Sequence, residues 1–132
     1  MVKKYLKKII AQSPQDLQVI SACCEGGKIK IDDIKYLPKN KIFLFLIERI
    51  AREKENPKEK VKSIVKFEYI EKSKSKNIDR EKVETLLELV AISLFKNNKN
   101  YEITLLFSNN GIITLTAEIV EAVLEDQNIN ND

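Results

Sequence analysis

Histidine and tryptophan are both absent from the 132 residues. Without an imidazole to take a nucleophile's proton, Ser-His-acid and Cys-His chemistry is closed, as is any zinc site that uses histidine. Glycine and proline occur three times each and cysteine twice. The two cysteines, Cys23 and Cys24, are adjacent. Neighbouring Cα atoms lie about 3.8 Å apart, so a bridge between them would strain the intervening peptide. They do not form a Cys-x-x-Cys pair, and neither a disulfide nor a structural metal is expected. A chain that needs no stapling suits a reducing compartment, so the expected location is the cytoplasm. Long apolar runs are missing too. The longest, Ile42 to Ile47, has six residues, against the roughly 20 needed to cross a bilayer. The lysines ahead of Ile9-Ile10-Ala11 precede too short an apolar stretch for a signal peptide, so no membrane association is expected.

What is present suffices for one core: 43% of the residues are hydrophobic, with only five Phe and four Tyr, so Ile, Leu and Val must fill it. The net charge of +3 invites a nucleic-acid reading. Of 23 basic residues, however, only Arg49, Arg52 and Arg80 are arginines, whereas bidentate phosphate recognition favours the guanidinium fork. The charge is also polarised. Lys3, Lys4, Lys7 and Lys8 stand without an acid in residues 1–11, and Glu118, Glu121, Glu125, Asp126 and Asp132 without a base in residues 117–132.

Ser13-Pro14-Gln15-Asp16 has the order of a helix start, with Ser at the N-cap, Pro in the first turn and an acid behind it. Leu17, Ile20, Cys23 and Cys24 then share one face, and Gly26-Gly27 terminates it. In this setting the cysteines read as small apolar residues. Gly26-Gly27-Lys28 lacks the earlier Gly and the following Ser or Thr of a phosphate loop.

From Lys28 the period becomes two. Lys28 to Ile31 and Ile34 to Leu37 read as strands about an Asp32-Asp33 turn, and Lys41 to Ile50 as a central strand covered on both faces. Residues 51–60 read as an exposed loop, Lys60 to Ile70 as a strand, and Lys72 to Lys82 as a polar, mobile stretch. Leu86 to Phe95, Tyr101 to Phe107 and Ile112 to Thr116 follow as strands, the last two joined through Asn110-Gly111. Ala117 to Asp126 fits either a helix or an extension of the preceding strand with one bulge, and the extended form is expected.

Several residues invite chemistry. Asp32-Asp33 has the composition of a cation or acid/base pair, but adjacent acids between short strands suit a turn. Lys41-Ile42-Phe43-Leu44-Phe45 lacks the glycines of an RNA-stacking strand and reads as core. Arg49, following an apolar strand, is the most distinctive charge in the chain, with Glu118 or Glu121 as expected partners. Those two acids would share a face if their segment were helical.

Pro14 to Ala22, Asp33 to Lys39, Phe43 with Glu48-Arg49, Leu86 to Phe95, and Ile103 to Leu124 together resemble the alphaproteobacterial family catalogued as domain of unknown function 2948, over about residues 13–126. The resemblance implies a small bacterial cytoplasmic protein and supplies no activity, cofactor or partner. This chain departs from the family pattern at Cys23 to Gly27 and at Glu48.

The expected organisation is a basic segment over residues 1–12, a single α+β domain over 13–126 and a polar tail over 127–132. The expected fold is an N-terminal helix packed on a curved antiparallel sheet of six or seven strands, barrel-like or pleckstrin-homology-like. The expected function is a non-enzymatic protein-binding or adaptor module without cofactor, acting through an open sheet edge or the acidic C-terminal segment. Arg49, Glu118, Glu121 and Tyr36 are the candidate interaction residues. The alternative is a nucleic-acid-associated protein using lysine-rich loops in residues 52–82.

Overall fold

Ser13 caps the helix as its spacing predicts: its Oγ accepts from the Asp16 N–H at 3.1 Å, and Pro14 opens the first turn. This helix, α1 (Pro14–Cys24), belongs to a computed structural model that describes residues 6–51 and 59–127. Leu17, Ile20 and Cys24 are its buried stripe. The chain leaves α1 through Gly26, whose φ of 81° is open to glycine at little cost. The Gly26 N–H donates to the Leu89 carbonyl and the Leu89 N–H to the Gly27 carbonyl, at 2.8 and 2.9 Å. A Cβ on Gly27 would stand 2.5 Å from Ile47 Cδ1, so this close approach of helix end to sheet requires glycine.

All pairings are antiparallel. The first half of the sheet is built on β4 (Ile42–Ile50), which pairs with β5 (Lys60–Phe67) on one side and with the short β2 (Lys28–Lys30) and β3 (Ile34–Leu37) on the other. Beyond β5 lie β10 (Ala122–Asp126) and then β1 (Lys8–Ala11). The second half runs from β7 (Leu86–Lys96) through β8 (Tyr101–Phe107) and β9 (Ile112–Ala117) to β6 (Ile70–Lys76). β2 joins the halves by pairing with the start of β7. The path therefore ends at β1 and β6 and does not close.

The sheet has ten strands rather than six or seven, and two of the added ones, β1 and β6, share a cause. β1 buries only Ala11 completely and β6 only Ile70, so neither carries a hydrophobic alternation. Lys72 to Lys76 lie in a strand, with pairing supplied by β9, and are not a loose polar stretch. β10 is a strand, as expected, but does not extend β9. Residues 118–121 cross to the other half of the sheet, where the Glu68 N–H donates to the Glu121 carbonyl at 2.9 Å and β10 inserts between β1 and β5. Asp32 and Asp33 sit in a single 3₁₀ turn, Ile31–Asp33. Part of the predicted 51–60 loop, residues 52–58, lies outside the described residues.

The inner faces of both halves and α1 enclose one core. Phe43, Phe45 and Phe67 meet at its centre with ring centroids 6.3–6.5 Å apart, ringed by aliphatics. β4 is covered on one face only: Phe43, Phe45, Ile47 and Arg49 are buried, whereas Ile42, Leu44 and Leu46 are half-buried and Glu48 is exposed. Cys24 is fully buried, and desolvation pushes its thiol up to about 12.

Two measurements check this packing. Gly27→Ala should lower stability by about 1–3 kcal/mol through overpacking against Ile47, read from the urea midpoint. Iodoacetamide at mildly alkaline pH should modify the half-buried Cys23 and spare Cys24, with both labelled once the chain is denatured. A folded-state thiol pKa above the unfolded one also favours the native state below the unfolded value of 9.0. That contribution fades as pH rises from there towards about 12.

Candidate interaction face

Alternation along β4 turns Arg49 inward, and its side chain is fully buried. Its Nη2 donates to Asp126 Oδ1 at 2.9 Å and its Nε to Ser63 Oγ at 2.9 Å, while Ser63 Oγ donates to the same Asp126 oxygen at 2.7 Å. The second Asp126 oxygen accepts from the Lys7 N–H at 2.9 Å, and the Asp126 N–H donates to the Lys7 carbonyl. Among the described residues no buried side-chain nitrogen or oxygen lacks a partner. Four segments, β4, β5, β10 and the lead into β1, thus converge on one charge pair.

The other candidates are placed differently. Tyr36 is half-buried and its hydroxyl donates to the Ile70 carbonyl at 3.0 Å, tying β3 to the start of β6. Glu118 accepts from Lys41 Nζ at 3.0 Å across the surface, and that hydrogen bond raises the Lys41 pKa. Glu121 Oε1 accepts from Gln12 Nε2 at 3.4 Å. Neither acid reaches Arg49, and their segment has no helical face for them to share. Asp126, the true partner, was legible by parity: Ala122, Leu124 and Asp126 alternate inward on β10, opposite Phe67, Val65 and Ser63. The lysines of residues 60–76 divide between β5 and β6, which are not neighbours in the sheet, while Lys54 and Lys58 lie outside the described residues. No cluster of three Cys, Asp or Glu side chains among the described residues is arranged to hold a metal, and no helix there is long and apolar enough to cross a membrane.

The outward face of the first half carries a second apolar surface. In register, Lys35, Leu44, Lys66, Val123 and Ile10 form one row across β3, β4, β5, β10 and β1. Leu46, Ile64, Glu125 and Lys8 form the next, and Leu37 pairs with Ile42 on the other side. Its aliphatic side chains belong neither to the core nor to the partly buried residues packed against it, and Ile10 and Leu37 are 58% and 43% exposed. Solvated faces of antiparallel sheets are ordinarily polar, so this one is an interaction candidate. Lys8, Lys35 and Lys62 border it and make no ion pair among the described residues.

The buried pair sets a clear expectation for mutation. Arg49→Met alone should cost about 3–5 kcal/mol by leaving Asp126 buried without its counter-ion, whereas Arg49→Met with Ser63→Ala and Asp126→Leu should recover most of that loss. Urea unfolding of the single and triple variants measures the difference.

No curated protein and no solved structure matches the chain. The family assignment therefore rests on one family model, matched over residues 7–131, a span that takes in every strand, the helix and the buried Arg49–Asp126 pair. The chain belongs to the family described as Protein of unknown function (DUF2948).

Proposed function

We propose that the chain is a non-enzymatic protein-binding module that docks its partner on the outward face of the β3–β4–β5–β10–β1 half of the sheet. The observation that carries this reading is the aliphatic surface of Leu44, Leu46, Ile64, Val123 and Ile10, which lies outside the core. Interfaces of this kind centre on apolar contacts and keep their charges at the rim. The rim carries Lys8, Lys35 and Lys62 beside Glu48 and Glu125, so the fitting partner is a protein with aliphatic side chains at the centre and charges of both signs, carboxylates in excess, around them. The acidic C-terminal segment is a weaker candidate, because Glu118 and Glu121 are engaged within the chain and Asp126 is buried. A reducing cytoplasm is the setting that the unstapled cysteines suit.

The test compares wild-type protein with Ile10→Glu/Leu44→Glu in pull-downs from the native cytoplasm, with and without nuclease and at low and moderate salt. The reading expects one stoichiometric protein held by the wild type and lost by the variant, while the two chains melt within a few degrees of each other. Retention of the same protein by the variant contradicts it. Recovery only of nuclease-sensitive nucleic acid moves the assignment to the competing class.

A further inference from the structure

β6 ends the strand order, and its only strand partner among the described residues is β9. Its register places Lys72 opposite Thr116, Lys74 opposite Thr114 and Lys76 opposite Ile112, so the three lysines stand on the outward face at alternate positions. All three are exposed, and none makes an ion pair among the described residues. Lys28, Lys30, Lys41 and Lys66, by contrast, each meet a carboxylate. Ser73 and Ser75 occupy the opposite face, opposite Leu115 and Ile113. Apart from Ile70, whose N–H donates to the Lys41 carbonyl and whose carbonyl accepts from the Tyr36 hydroxyl, no described residue pairs with the outer backbone edge of β6. This seven-residue edge is longer than β1 or β3, with four residues each.

We infer that β6 is a strand-addition site for an extended segment of a partner protein bearing Asp or Glu at alternate positions. An added strand hydrogen-bonds to the free edge and sets its own outward side chains directly opposite Lys72, Lys74 and Lys76, where opposite charges attract. Lysines on an edge strand also guard against self-association, and the two roles are compatible. The same row repels a second copy's β6 and selects an acidic strand. A nucleic acid fits less well. It has no use for the backbone edge, and Lys forms no bidentate phosphate fork. Phe95, the exposed aromatic of this face, lies at the far end of the row Phe95–Glu102–Thr116–Lys72, with a carboxylate between. The site lies at the other end of the strand order from the aliphatic face and stands independently of it.

Fluorescence anisotropy with the full chain tests the inference, using three labelled probes: a peptide alternating Glu with Thr, its counterpart with Lys for Glu, and a single-stranded oligonucleotide of matched charge. Binding of the acidic peptide should exceed that of the other two. The variant Lys72→Glu/Lys74→Glu/Lys76→Glu should weaken it on the order of tenfold or more and reverse the preference towards the Lys peptide. Hydrogen exchange should show the bound peptide protecting amides of β6. Tighter binding of the oligonucleotide, an unchanged preference in the triple variant, or binding without protection of β6 overturns the inference.

Discussion

The guanidinium of Arg49 is fully buried, and the carboxylate that neutralises it comes from residue 126, 77 positions along the chain. A buried charge is tolerated only with a partner and a complete set of hydrogen bonds. Here Ser63 supplies the second acceptor for Arg49 and a donor for Asp126, and the Lys7 backbone completes the Asp126 carboxylate. Such a pair is not a large source of net stability, since its desolvation offsets much of the attraction. Its effect is on arrangement. Asp126 cannot leave without breaking its buried bonds to Arg49 and Ser63, so β10 is held between β5 and β1, and β1 is held by β10.

That arrangement decides what the surface presents. With β10 and β1 in register, Val123 and Ile10 extend the aliphatic rows begun by Leu44 and Ile64, and Lys8 joins the rim. Without them the outward face would be a narrower ribbon of β3, β4 and β5. At the other end of the strand order the constraint is of a different kind: beyond Ile70, β6 is held among the described residues by β9 alone, and its lysines have no carboxylate there to meet. The molecule thus has a core built from one face of each half, and two outward features that the core does not use.

How much of this was legible in the sequence follows from which signals reach single residues. Ser13, Pro14 and Asp16 define the start of α1, and Gly26 its end, because caps and left-handed turns depend on local chemistry. Asn110, at φ 69°, marks the β8–β9 hairpin for the same reason. β8 and β9 were legible because a buried face imposes period two and Asn110-Gly111 joins them, β7 from its β-branched residues and the turn after it, and β4 from an unbroken apolar run that pointed to cover on both faces where only one is covered. β1 and β6 were not, since a strand with one buried residue owes its conformation to its neighbour's hydrogen bonds. The break between β9 and β10 was hidden because the inward residues pass from odd positions (Ile113, Leu115, Ala117) to even ones (Ala122, Leu124, Asp126), a switch that a single bulge in one continuous strand would also produce. Arg49 was marked as distinctive, but its partner depended on long-range pairing. Asp126 resembled the other acids of a charged tail until β10 was placed against β5.

Amide hydrogen exchange followed residue by residue on the wild-type protein tests the central claim most directly. If the Arg49 pair locks β10 and β1 into the folded unit, the amides of residues 122–126 should exchange no faster than those of Phe43, Phe45 and Phe67 in the core, through global unfolding alone. Rapid exchange across β10 and β1 while the phenylalanine core stays protected would contradict that account, because the ends of the chain would then be opening around a pair that does not hold them.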